Sequence, residues 1–77
     1  MNVLYDSEQY SVIDFPVRGG VEIVDKGSCR GGFLQGTAAR RLRAYVADHE
    51  ARGDEPEAMD DMLGHYAALL THPVMLH

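Results

Sequence analysis

Few side chains in this sequence can do chemistry, and their spacing decides what kind. The chain has one cysteine and four histidines. Cys29 sits in Gly27-Ser28-Cys29-Arg30-Gly31, beside a cation that can lower a thiol's pKa and make it a nucleophile. A Cys–His relay needs a histidine and an orienting acid close in space, and nothing in the spacing supplies either. The favoured reading of Cys29 is a small residue in a turn. His49, His65, His72 and His77 are separated by sixteen, seven and five residues, so no pair shares a helical face at i, i+4. Zinc sites need three or four convergent ligands, usually at short fixed spacings, and none are found here. His49 is expected to complete the buried stripe of a helix, and His65 to lie on a solvated side.

Gly27–Gly32 invites comparison with a phosphate-binding loop. Such a loop ends in Gly-Lys-Ser/Thr at a helix start, where backbone donors, lysine and hydroxyl converge on phosphate. The lysine is absent and a strand is expected to follow, so the segment reads as a hairpin turn. Asp60 and Asp61 are neighbours, which on a helix directs them about 100° apart and away from a common substrate. No catalytic, cofactor-binding or metal-binding residue is assigned, and no cofactor is expected.

Arg40-Arg41-x-Arg43, with Arg30 upstream, is the strongest local charge feature. Arginines can meet phosphates, and nearby Tyr45 can stack on bases. Against nucleic acid stands the formal net charge of −5, which repels a polyanion. Charge is unevenly spread: −3 over residues 1–26, +4 over 27–47 and −6 over 48–77. That order predicts an arginine-rich first helix set against Glu55, Glu57, Asp60 and Asp61 of an acidic second one.

The elements that must position these groups follow from periodicity. Residues 3–35 read at period two as an antiparallel meander of three to four strands. Tyr10–Phe15 is β-branched and aromatic and stops at Pro16, which cannot continue a central ladder. Val17-Arg18-Gly19-Gly20 is turn chemistry; Val21–Lys26 returns as a strand, and Gly32–Gln35 makes a shorter one. From Thr37 the apolar residues recur at three- and four-residue steps, predicting a helix over 37–52 with Thr37 as N-cap and Gly53 as its stop. A second helix is expected over 55–71, opened by acids and Pro56 and carrying Met59, Met62, Leu63, Tyr66, Leu69 and Leu70. Pro73 ends it and leaves 73–77 as an extended tail. Strands followed by helices imply a single α+β domain over 1–77, with two antiparallel helices on one face of the sheet.

Alternation divides the sheet's faces. Ile13, Phe15 and Val17 share one side of their strand, and Tyr10, Val12 and Asp14 the other. If the helices cover Ile13, Phe15 and Ile23, then Tyr10, Val12 and Val24 remain outside as a self-association face. A chain of 77 residues buries only about 60% of its unfolded surface, so a second subunit is the expected supplement. The N-terminus shows neither a basic region nor an apolar run of signal-peptide type, and the lone cysteine suits a reducing cytoplasm. No apolar stretch reaches the about twenty residues that span a bilayer. The function expected on these grounds is a non-enzymatic, homodimeric interaction module, with Arg30, Arg40, Arg41, Arg43, Tyr10, Val12 and Val24 as candidate contacts. The alternative is a nucleic-acid-associated factor using the arginines.

The order Gly19-Gly20-Val21-Glu22-Ile23-Val24-Asp25-Lys26, Phe33-Leu34-x-Gly36, Asp60-Asp61-x-Leu63-Gly64-x-Tyr66-x-x-Leu69 and Pro73-Val74-Met75-Leu76-His77 resembles a family of small betaproteobacterial proteins of unknown function. The resemblance runs from Leu4-Tyr5 to His77. It departs at His72, where the family pattern has glutamine, and at the Cys29 turn, which is more charged in the family. It implies a bacterial, cytoplasmic protein and brings no activity with it.

Overall fold

Strand β1, Asn2–Asp6, and strand β2, Tyr10–Phe15, form the first hairpin, with an irregularity between Val3 and Tyr5 that leaves Leu4 as a bulge. Pro16 ends β2 and opens a 3-10 turn, Pro16–Arg18, closed by Gly19 at φ 68° with its N–H donating to Pro16 O at 3.1 Å. A positive φ costs glycine nothing, which is why this turn can be so short. Strands β3, Gly20–Asp25, and β4, Arg30–Gln35, complete the meander. The described residues of this computed structural model are 1–74.

Helix α1, Gly36–Arg52, follows directly and is stopped by Gly53 at φ 66°, as the sequence predicts. Thr37 does not cap it. No side chain bonds to its N-terminal N–H groups, and the Thr37 hydroxyl instead accepts from Arg40 Nη2 at 3.4 Å. Helix α2, Pro56–Gly64, is shorter than the expected 55–71. It ends at Gly64, a poor helix former. The chain then passes through a 3-10 turn, Ala67–Leu69, that lies on β4. There Gly32 is indispensable: a Cβ at that position would run into the carbonyl of Leu69. This close approach lets Leu70 drop into the core while Leu69 stays 53% exposed.

A fifth strand, β5, His72–Pro73, pairs antiparallel with β4, matching Arg30 to Pro73 and Gly31 to His72. The tail expected over 73–77 thus begins inside the sheet, and residues 75–77 lie outside the described residues. Strand order is β1-β2-β3-β4-β5, an uncrossed antiparallel sheet one strand larger than expected.

Both helices lie on one face. The core joins Tyr5, Tyr10, Val12, Val21, Ile23 and Leu34 of the sheet to Ala39, Leu42 and Val46 of α1 and Met59 and Leu63 of α2. Three polar contacts fasten α2 to the first hairpin. Asp60 Oδ1 accepts from the Ser7 hydroxyl at 2.9 Å and lies 2.9 Å from the Tyr5 hydroxyl, which is also 3.0 Å from Pro56 O. His49 completes the buried stripe of α1, as expected, with its Nε2 3.1 Å from Glu55 O and its ring edge-on to Tyr5.

Candidate functional site

Cys29 is exposed at the β3–β4 turn with φ 56°, and its thiol donates weakly to Lys26 O at 3.7 Å. Among the described residues no histidine or carboxylate hydrogen-bonds to it. Nor do three His, Cys, Asp or Glu side chains converge there on a common point. The described surface holds no cleft that would enclose a small molecule.

The arginine cluster is dispersed by the fold. Arg43 turns to the sheet, donating from Nε and Nη2 to Asp14 Oδ1 at 3.1 and 2.8 Å. Arg30 reaches Thr71 O at 3.3 Å. Arg40 and Arg41 are exposed, and among the described residues neither pairs with a carboxylate. Tyr45, 42% exposed, follows Arg41 by one helical turn. The expected pairing of these arginines with acids of α2 is not formed among the described residues: Asp14 of β2 takes Arg43, and Asp60 is engaged by Ser7 and Tyr5.

The two faces of β2 are reversed relative to expectation. Tyr10 and Val12 are 7% and 0% exposed beneath the helices, so neither can be an external contact in the folded chain. Val24 does lie on the opposite face, in register with Ser11 and Gly31, but it too is buried, at 6% exposure. The physical reason is register. Phe15 pairs with Gly20 across a connection of residues 16–19, so Val12 faces Ile23 and Ile13 faces Glu22. With an even number of loop residues, odd positions of one strand share a face with even positions of the next. Expecting Ile13 and Ile23 on one side presumed the other parity.

The face left without helices carries Val3 from β1, Ile13 and Phe15 from β2, Glu22 and Val24 from β3, and Phe33 from β4. Ile13, Phe15 and Phe33 are half-buried, and Val3 is 59% exposed. Phe15 and Phe33 are 6.3 Å apart between ring centroids, and the Phe33 ring lies over Gly20, where a Cβ would displace it. The Arg18 guanidinium caps both rings, 4.6 Å from the Phe33 centroid and 5.8 Å from that of Phe15. A cation over an aromatic face is attracted by the ring quadrupole. Sequence reading missed this cluster of Arg18, Ile13, Phe15, Glu22 and Phe33. Loop parity between β2 and β3 was the signal that would have found it.

The sheet's edges are less inviting than its face. The β1 edge carries a bulge, and the β5 edge is two residues long and ends in Pro73, both recognised ways of blocking strand addition.

The fold is a two-layer α+β domain, with helices on one sheet face and a partly apolar opposite face. The chain belongs to the DUF3567 family, described as protein of unknown function, whose family model matches residues 1–77. It is similar to Protein BTH_I0359 of Burkholderia thailandensis, with 35% identity over 85 aligned residues covering the whole of both chains. No solved structure matches it. Among the described residues no helix is long and apolar enough to cross a membrane.

Proposed function

We propose that this protein is a non-enzymatic, self-associating interaction module of the bacterial cytoplasm, acting through the open face of its sheet. One observation carries the reading: Ile13, Phe15 and Phe33 gather on a face that neither helix covers. Apolar residues rimmed by polar ones mark association surfaces, and a small domain gains core by sharing such a face. Sedimentation velocity tests it. A dimer is expected at high micromolar concentration and should be lost in Phe33→Glu, which leaves the helix-covered core intact. A strict monomer under those conditions overturns the reading.

A second reading, association with nucleic acid, is favoured by Arg40 and Arg41 standing exposed and unpaired among the described residues beside Tyr45. It predicts binding to a mixed oligonucleotide pool that weakens steeply with salt. Affinity unchanged by Arg40→Glu with Arg41→Glu removes it.

A further inference from the structure

Arg18 and Glu22 are opposite charges on the same open face, and among the described residues neither has an ion-pair partner. The other charged pair on that face is already satisfied, Lys26 Nζ lying 2.7 Å from Asp6 Oδ1. Glu22 is the cross-strand partner of both Ile13 and Phe33, which places a half-buried carboxylate between the two apolar side chains. Arg18 lies over the ring of Phe33. The two charges therefore flank Phe33, one beside it in the sheet and one above it.

We infer that the occupant of this face is a second copy of the chain, related by a two-fold axis passing near Phe33, with Arg18 of each copy paired to Glu22 of the other. The inference rests on the open face being the association surface and adds the partner, the symmetry and the residues that select it. A two-fold contact is self-complementary: whatever one copy's residue meets, its own counterpart meets in return. A face that, among the described residues, carries one unmatched cation and one unmatched anion about a central aromatic satisfies that requirement twice over. Phe33 meets Phe33, and two Arg18–Glu22 pairs close around the aromatic contact. Without a partner base, Glu22 would be covered at a cost, because a desolvated and unpaired carboxylate is strongly unfavourable. An unrelated apolar partner supplies no such base, whereas a second copy supplies one at Arg18. Both sheet edges are obstructed, so the pairing is face to face and does not extend the sheet.

Charge exchange tests this in trans. Arg18→Glu places two acids on each face and Glu22→Arg places two bases, so each variant alone is expected to associate at least about tenfold more weakly than the unmodified chain, or roughly 1.4 kcal/mol. Mixed in equal amounts, the two variants regain complementary pairs at both positions. A heterodimer should form with affinity within about threefold of the original, read by native mass spectrometry and sedimentation. Circular dichroism of each variant alone establishes that it is folded. If either single variant self-associates like the unmodified chain, or the mixture stays monomeric, the Arg18–Glu22 pairing is overturned. If the unmodified chain dimerises and Phe33→Glu abolishes this while the exchanged charges change nothing, only the pairing falls. An unmodified chain that is monomeric throughout removes the surface and the pairing together.

Discussion

Arg43 of α1 donates to Asp14 of β2 through Nε at 3.1 Å and Nη2 at 2.8 Å, both to the same carboxylate oxygen. Asp14 stands on the helix-covered face, in line with Tyr10 and Val12, at the end of the strand where the apolar core gives out. The pair is thus a polar closure of the α1–sheet contact. Its side chains are 33% and 16% exposed, enough burial to place its strength at the upper end for surface ion pairs. A double-mutant cycle with Asp14→Ala and Arg43→Ala should return a coupling of about 1 kcal/mol in chemical denaturation. Strictly additive single effects would show that the two groups meet without stabilising anything.

Gly32 is expected to be hard to replace, as is Gly20, where a Cβ would meet the Leu34 carbonyl as well as the Phe33 ring. A side chain at position 32 meets the Leu69 carbonyl and lies 3.1 Å from Leu70 Cδ2, and a carbonyl fixed in a 3-10 turn cannot swing aside as a side-chain tip can. Gly32→Ala should therefore destabilise the chain by about 1–3 kcal/mol, the usual range for overpacking. The denaturation midpoint measures it. A midpoint equal to that of the unmodified chain would mean that the turn separates from β4 at no cost.

Stability should fall at both ends of the pH scale, for opposite reasons. The Lys26 ammonium and the Ser11 hydroxyl hold the Asp6 carboxyl below its ordinary value of 3.8. A lowered folded pKa gives stability that is present above the unfolded value and is lost as pH drops through the folded one. Burial raises the Tyr5 and Tyr10 phenols above 10.0, with Asp60 adding to the effect at both. A raised folded pKa gives stability that is complete below about 10 and declines as pH climbs past it, because the unfolded chain ionises first. Denaturation midpoints between pH 3 and 11 should trace a plateau with a loss at each end. Asp6→Asn should flatten the acid limb, and Tyr5→Phe the alkaline one. Unchanged limbs in both variants would refute the assignment.

The elements whose signal is local were legible in the sequence. Pro16, Gly19 and Gly53 mark ends that backbone chemistry alone dictates, and β2, β3 and α1 fall close to their expected bounds. Long-range features were not. The β5 strand exists because Arg30 and Gly31 offer it a ladder, which nothing near His72 announces. The 3-10 turn after α2 can lie on β4 because Gly32, some thirty residues before it, admits the Leu69 carbonyl. The candidate site suffered most, since its membership depends on cross-strand parity. Alternation correctly grouped Ile13 with Phe15 and Tyr10 with Val12, but it could not say which group met the helices. Pairing of Val12 with Ile23 settles that, and it moves the exposed apolar face to Ile13, Phe15 and Phe33.

His49 offers the sharpest test of how the two helices are joined. The residue is 6% exposed, its Nε2 lies 3.1 Å from the carbonyl oxygen of Glu55, and among the described residues its Nδ1 has no partner. A carbonyl only accepts, so Nε2 must carry the proton and donate, which leaves Nδ1 as an acceptor with no partner among the described residues. The tautomer is therefore fixed by the turn between α1 and α2, and long-range proton–nitrogen correlation spectra should find the Nε2–H form. His49→Gln keeps a donor of similar reach, whereas His49→Leu keeps the bulk and abandons the Glu55 carbonyl. The leucine variant should lose about 0.5–1.5 kcal/mol, the net worth of one hydrogen bond, because the Glu55 carbonyl still accepts from Ala58 N–H at 3.1 Å, and the glutamine variant less. Equal losses in both would show that ring packing against Tyr5, and not the hydrogen bond, ties α1 to the start of α2.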